Sequence, residues 1–585
     1  MEGNVTWFSR VWLLICVVFA GVVVSASAAS AALVGNAACP GEEVVFDPGT
    51  GEDIIVPEGY KVEVFAQGLN FPTAIAFAGT KDQFRVFVLE SGRGLPGRCS
   101  DNADPAFGGK FSPSNPLTPD LLVFDQDGHQ LAGPIGKPTP AGGGFQPDGP
   151  AVGLAFEHGF AGGRLFATDS NQSLRTLGRN NSSRIVTVDL AAETVTPFIT
   201  GLPTGDHPAE QLAFQDGWIY WSQGSATNAG VVGRDNGNGE NQHDIPCQDI
   251  TLSANLFDSG DGHRTSGYSD FGVARPGAVV KSFEGATRRG MCTGAILRAR
   301  LHAPDPADTI EPFSWGYRNP FGLRFAPADH ALKGRLFVTE NGEDERGARP
   351  TNNAPDRLQL AQQYPDGSPD YHGWPDRFGF LDSTQAVFDP IGGPGDDLCV
   401  PDASNPPSLC TPASLSTILT TDRPVQPVLA FPPQPPVAPL ALEPADVAVV
   451  GLDFVPETFV GGVVTRGAAL VTREGDFGFS PANGTPEEGH DVQLVNFSRP
   501  GQPLTLELSR FAYNKSFEQA FPSQNHGINR PVDGKFGPDG AFYLVDYGAV
   551  RDFGQSDPAS KFQVEGDGPL VQIPGTGVIW KISKK

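Results

Sequence analysis

The chain is short of positive charge. Its 585 residues carry 41 Lys plus Arg against 67 Asp plus Glu, a formal net charge of −26. Nucleic acid and anionic lipid surfaces both call for clustered Lys and Arg, so neither fits as a partner. Stretches free of helix breakers are scarce as well, because 72 Gly and 54 Pro run through the chain. Both residues interrupt helices, which excludes helical bundles and coiled coils. Catalytic signatures are also missing. There is no Gly-x-Ser-x-Gly, no HExxH and no phosphate-binding Gly loop with Lys. No GxGxxG lies between a strand and a helix, so a dinucleotide-binding Rossmann domain has no support. No CxxC or CxxCH occurs, so zinc and covalently attached haem have no support. What is present is 39% hydrophobic and 10% aromatic residues, enough for a large core. An all-β chain with long loops follows.

One apolar run stands out. Val11–Val24 is 14 residues long, preceded by Arg10 and followed by Ala26-Ser27-Ala28. A bilayer-spanning helix needs ~20 residues. The layout is that of a secretory signal over residues 1–28, with cleavage between 28 and 32. A single membrane anchor is the other reading of the same run. The expected location is secreted or periplasmic, with residues 29–56 as an N-terminal extension. Losing the signal takes Cys16 with it. Cys39, Cys99, Cys247, Cys292, Cys399 and Cys410 remain, an even set that suggests disulfides in an exported chain. The nearest-neighbour pairing is Cys39–Cys99, Cys247–Cys292 and Cys399–Cys410, although sequence alone does not fix the connectivity.

A phrase recurs six times: a strand ending in Phe, a short turn, then a second apolar strand. Its copies are Ala74–Phe77 with Arg85–Leu89, Gly153–Phe156 with Gly163–Ala167, and Gln211–Phe214 with Trp218–Trp221. The other three are Gly322–Phe325 with Arg335–Val338, Gly451–Phe454 with Ala468–Val471, and Gly534–Phe536 with Ala541–Val545. Asp216-Gly217 and Asp539-Gly540 are hairpin turn signals, because such turns require positive φ. Further strand-like runs lie between copies, at Leu121–Phe124, Arg184–Val188, Ala295–Arg298 and Val578–Lys581. Two hairpins make a four-stranded blade, and six repeats predict a six-bladed β-propeller over residues 57–585. Two stretches are too long for a blade. Residues 225–292, rich in Gly, Asp and Asn, and residues 382–447, rich in Pro, read as loop insertions on one face.

Propeller sites form on the central axis, so polar residues at the mouths of inner strands are the candidates. Asp206-His207 pairs an imidazole that titrates near neutrality with a carboxylate that can orient it. Trp315–Pro320 contains Arg318, a two-pronged carboxylate binder, and Asn319, a donor and acceptor. Glu340–Arg346 is dense in oxygen after a Gly turn, which suits Ca²⁺. Taken singly, each reads equally well as a surface loop, a structural arginine or a solvated acidic turn.

Taken together and in this order, the stretches resemble the glucose/sorbosone dehydrogenase family. That family includes soluble glucose and aldose dehydrogenases that use pyrroloquinoline quinone (PQQ). The resemblance runs from about Pro57 to Lys581, and its most specific pieces are Gly205–His207, Tyr317–Asn319, Glu340–Gly342 and Gly373–Pro375, with Gly68–Pro72 at the start. It implies a PQQ- and Ca²⁺-dependent oxidoreductase. The substrate would be an aldose or related sugar aldehyde oxidised at the anomeric carbon, with an external electron acceptor as partner. His207 would be the base, oriented by Asp206. Arg318, Asn319 and Arg530 would hold the cofactor. The backbone carbonyls of Gly342 and Glu343 would ligate the metal. The sequence departs from the family where a second arginine falls on Val532 and a glutamine falls near Asp148. The cofactor lysine has no clear counterpart, Arg473 being the nearest basic residue. A non-catalytic binding propeller and a Ca²⁺-dependent lactonase are the alternatives.

Overall fold

Six sheets of four or five strands ring a common axis in the computed structural model of the chain, a six-bladed β-propeller. The structure describes residues 33–35, 43–92, 116–139, 142–147, 149–171, 182–233, 243–260, 262–344, 348–349, 351, 354–377, 426–445, 447–475, 489–498, 504–521, 526–552 and 570–585. The N-terminal apolar run, Asp148 and the cysteines other than Cys247 and Cys292 lie outside them. Among the described residues no helix is long and apolar enough to cross a membrane.

Each recurring phrase forms the two innermost strands of a blade. In blade one these are Pro72–Thr80 and Gln83–Glu90, followed outward by Asp120–Asp125 and Gln130–Ile135. Blade three begins with Ala209–Gln215 and Trp218–Gln223, and blade four with Asn319–Phe325 and Leu336–Asn341. The turn at Asp216-Gly217 has φ of 52° and 76°, the positive pair a two-residue hairpin requires. Leu165–Asp169 in blade two and Phe542–Asp546 in blade six are buried at every position, as befits strands covered on both faces. The outer strand Leu506–Asn514 alternates exposed and half-buried positions before its last buried turn.

The repeated Phe has a packing role. Phe77, Phe156, Phe214, Phe325 and Phe454 each meet an aromatic on the second strand of the preceding blade. The partners are Tyr543, Phe87, Phe166, Tyr220 and Phe337, with ring centroids 4.9 to 5.3 Å apart. At the sixth junction Phe536 meets Phe459 of blade five at 4.9 Å, and Leu470 holds the second-strand position. Such pairs add ~0.5–1.5 kcal/mol each beyond burial, so the phrase encodes the blade junction as well as the hairpin.

The ring closes in blade six. Its strands Pro531–Phe536, Phe542–Asp546 and Gly577–Lys584 are joined by Tyr60–Leu69 from the other end of the chain. Upstream, Ile54–Ile55 adds a fifth strand to the edge of blade five. The stretch 225–292 leaves blade three between its second and third strands. It contains a small hairpin nested inside a second two-stranded pair, and a disulfide between the buried Cys247 and Cys292. The second long excursion climbs beside the outer strand of blade three, where Asp370–Tyr371 pairs with Ser314 and Trp315. Its described end docks on the first: Ser253 donates to the Val428 carbonyl, and Ala430 to that of Thr251. Ala441–Ala445, inside the stretch read from sequence as insertion, is the outer strand of blade four.

Candidate functional site

Asp206 and His207 stand on the turn leading into the first strand of blade three. The turn is zipped to residues 224–226 beyond the second strand. Asp206 N–H donates to the Ala226 carbonyl and His207 N–H to that of Ser225, both at 3.0 Å. This approach depends on two glycines. A Cβ at Gly224 would stand 2.1 Å from the His207 Cβ, and one at Gly205 would stand 2.0 Å from the Ala226 Cα. The insertion braces the same turn. Asp244 accepts from Ala226 N at 2.6 Å, Thr227 Oγ1 at 2.5 Å and Thr293 Oγ1 at 2.8 Å, next to the disulfide. Burial pushes its carboxyl up to about 6 despite these three donors. Asn228 reaches on to blade four, exchanging hydrogen bonds of 2.9 Å with the Asp344 backbone.

Arg318 enters from blade four. Its Nη2 lies 2.5 Å from Asp344 Oδ2 and 3.7 Å from Asp206 Oδ2. The His207 ring sits between two carboxyls, with Nε2 3.5 Å from Asp206 and Nδ1 3.8 Å from Glu210. Residues more than a hundred positions apart in the chain thus share one cluster. Behind Arg318, Glu340 accepts from the Arg318 backbone N–H at 2.9 Å, Arg357 at 2.8 Å and Gln359 at 2.7 Å. Asn319 donates to Asn341 Oδ1 at 2.8 Å.

Glu343 is buried with Oε2 on Arg357 at 3.0 Å, and Gly342 N–H donates to Asp356 at 2.6 Å. Burial raises Asp356 to about 7, against the pull of the Gly342 and Val449 amides and of Arg318 and Arg357.

Arg530 belongs to the opposite wall, formed by blades five and six. Its backbone N–H donates to Asp546 at 2.8 Å and its Nη1 to the Gly475 carbonyl at 3.0 Å. Beside it Glu474 is raised to about 7 by burial, partly offset by Arg530. His490 is lowered to about 3 by burial and by Arg530. Val532 is buried in the core between blades one and six, so that position offers no cation to the axis. Arg473 is committed elsewhere, to Asp491 at 2.6 and 2.7 Å and Glu443 at 3.2 Å. Glu474, the next residue, joins the Arg530 wall instead.

Sequence reasoning missed Glu210, Glu474, Arg357, Asp356 and Asp244. Glu210 lies only three residues after His207, but a register irregularity between Ala209 and Leu212 breaks the two-residue alternation that would have placed it.

Two buried atoms bear on whether a quinone and a cation suit this site. Among the described residues Arg318 Nε has no acceptor, and Glu343 Oε1 has no donor. Such groups cost ~1–3 kcal/mol each when left unmet. They ask for partners of opposite sign, an anionic oxygen for the first and a cation for the second. A quinone with carboxylates and a Ca²⁺ ion match those demands, and the set fits them.

No protein-family profile and no curated protein sequence matches the chain. Solved structures resemble it distantly. A Trichoderma reesei carbohydrate-active enzyme of family AA12 is 14% identical over 92% of this chain and 98% of its own, with a TM-score of 0.43. A glucose dehydrogenase is 13% identical over 90% of this chain and 100% of its own, with a TM-score of 0.44. Likenesses this distant say nothing of the chemistry.

Proposed function

We propose that the chain is a sugar dehydrogenase that oxidises an aldose, or a related sugar aldehyde, at its anomeric carbon. The observation that carries this reading is the meeting of Asp206, His207 and Arg318, in which the Asp206 carboxylate lies 3.5 Å from the His207 imidazole and 3.7 Å from the Arg318 guanidinium. Asp206 holds the ring, and His207 is the base for the C1 hydroxyl proton. Arg318 supplies positive charge where an anionic oxygen would sit, and Asn319 flanks it from the first strand of blade four. Arg530 would take a cofactor carboxylate from the opposite wall. The unmet oxygen of Glu343, with the carbonyls of Gly342 and Glu343, would serve Ca²⁺. When bound, PQQ supplies the hydride acceptor and the cation supplies Lewis-acid polarisation. Electrons then leave to an external acceptor. Export to the periplasm or medium fits the Cys247–Cys292 disulfide.

The test is dye reduction by the purified mature chain with a panel of aldoses, with PQQ and Ca²⁺ added separately and together. Reduction that requires both and disappears in His207→Ala supports the reading. Absence of PQQ binding by calorimetry at micromolar cofactor rejects it. The unmet Glu343 oxygen also favours a second reading, a Ca²⁺-dependent lactonase, and lactone hydrolysis that needs the metal alone would select it.

A further inference from the structure

Glu210 has no part in the reading above, yet it lies within the site. Its carboxyl is almost fully buried, 3.8 Å from His207 Nδ1. Both its oxygens stand 3.0 Å from one end of the Asn319 side-chain amide. The other end of that amide lies 2.8 Å from Asn341 Oδ1. The question is which end of the amide faces which neighbour.

Asn341 decides it. Its Nδ2 donates to the Val449 carbonyl at 2.8 Å, which leaves its Oδ1 turned to Asn319. An oxygen there can only accept, so Asn319 must present its NH₂ to Asn341. The Asn319 carbonyl then faces Glu210, and two oxygens at hydrogen-bond distance need a proton between them. Turning the Asn319 amide would serve an ionised Glu210 but would set its carbonyl against Asn341 Oδ1.

We propose that Glu210 is a positioning residue held in its protonated form by the Val449–Asn341–Asn319 hydrogen-bond chain, and that its O–H fixes the orientation of Asn319. The surroundings agree. Burial drives the Glu210 carboxyl well above the usual range, Arg318 opposes this, and Glu474 of blade five reinforces it. His207 faces it from the leading turn, and Gly153 of blade two lies against its backbone carbonyl. A neutral Glu210 adds no third negative charge to those of Asp206 and Asp344 around Arg318, where an anionic ligand would have to bind. An ionised one would add that charge and turn Asn319. This consequence alone rests on the sugar-oxidising reading; the protonation itself does not.

The test is infrared difference spectroscopy of the full chain without substrate or cofactor. Wild type minus Glu210→Gln should show a protonated-carboxyl band at neutral pH that titrates away only under alkaline conditions. In Asn341→Leu the anchor is gone and the Asn319 amide is free to turn, so the midpoint of that band should fall by at least about one pH unit. If Glu210→Gln does not fold, the Asn341→Leu shift decides on its own. No protonated-carboxyl difference at neutral pH, or an unmoved midpoint in Asn341→Leu, overturns the proposal. Neither readout involves sugar oxidation, so failure of the dehydrogenase reading is told apart from failure of this one.

Discussion

The two walls of the axial site use the same residue types to opposite effect. On the wall of blades three and four, the His207 and Asp344 side chains are 21% and 22% exposed, while those of Asp206 and Arg318 lie buried between them. Their charges are met pairwise. On the wall of blades five and six, His490, Arg530 and Asp546 are buried and Glu474 is partly buried beside them. There burial raises one carboxyl to about 7 and lowers the imidazole to about 3. A carboxylate within reach of an arginine is therefore not enough to fix a charge. At Glu474 burial outweighs the neighbouring Arg530, and its charge changes near neutrality.

The largest expected effect breaks the first wall. His207→Ala should lower kcat by about 10²–10⁴-fold, measured by dye reduction, because a positioned base contributes that much. The matching change on the second wall, His490→Ala, should leave the pH dependence of kcat in place, since that imidazole stays neutral far below neutrality. Next comes the brace behind the first wall. The Cys247–Cys292 link spans 45 residues, and opening it in Cys247→Ser/Cys292→Ser should cost about 4 kcal/mol of stability in denaturant unfolding. Loss of activity should precede global unfolding in that variant, because Asp244 and Thr293 connect the link to the His207 turn.

Smaller effects sharpen the contrast through pH. Glu474 binds its proton more tightly folded than unfolded, with about 7 against an ordinary 4.5. Its favourable contribution is complete below 4.5 and is lost as pH rises through 7. Glu474→Gln should accordingly gain up to about 3 kcal/mol relative to wild type between pH 4.5 and 8, read as a melting-temperature difference that widens with pH. Asn228→Ala, which removes the paired bonds to Asp344, should cost about 1–2 kcal/mol at any pH and raise KM more than it lowers kcat.

The sequence-visible part of this site was its local part. Asp206-His207 and Arg318-Asn319 are adjacent pairs at strand mouths, and the recurring Phe announced the hairpins, whereas its place at the blade junctions shows only in the structure. What stayed hidden depended on which way a side chain points or on distant burial. Arg473 and Glu474 are neighbours, and strand alternation sends them to different surroundings. Arg473, the nearest basic residue to the position of the cofactor lysine, is engaged by Asp491 and Glu443. Val532 is a core residue rather than a vacant ligand position. The charge state of Glu210 follows from Val449, Asn341 and Asn319, none of them near it in sequence.

The closure of blade six sets an order of events. Tyr60–Leu69 is among the first strands synthesised, yet its partner Gly577–Lys584 is the last. The early strand therefore waits as an open edge through the making of every blade, and the long-range pairing that ends the wait is of the slow kind. Blades three and four, with their ion pairs and brace, draw their strands from residues 209–445 and need no part of the closing strand. The wall of blades five and six is finished only when the final strand arrives. A chain cut or stalled near the C-terminus would keep Asp206, His207 and Arg318 but lack the strand that completes the opposite wall.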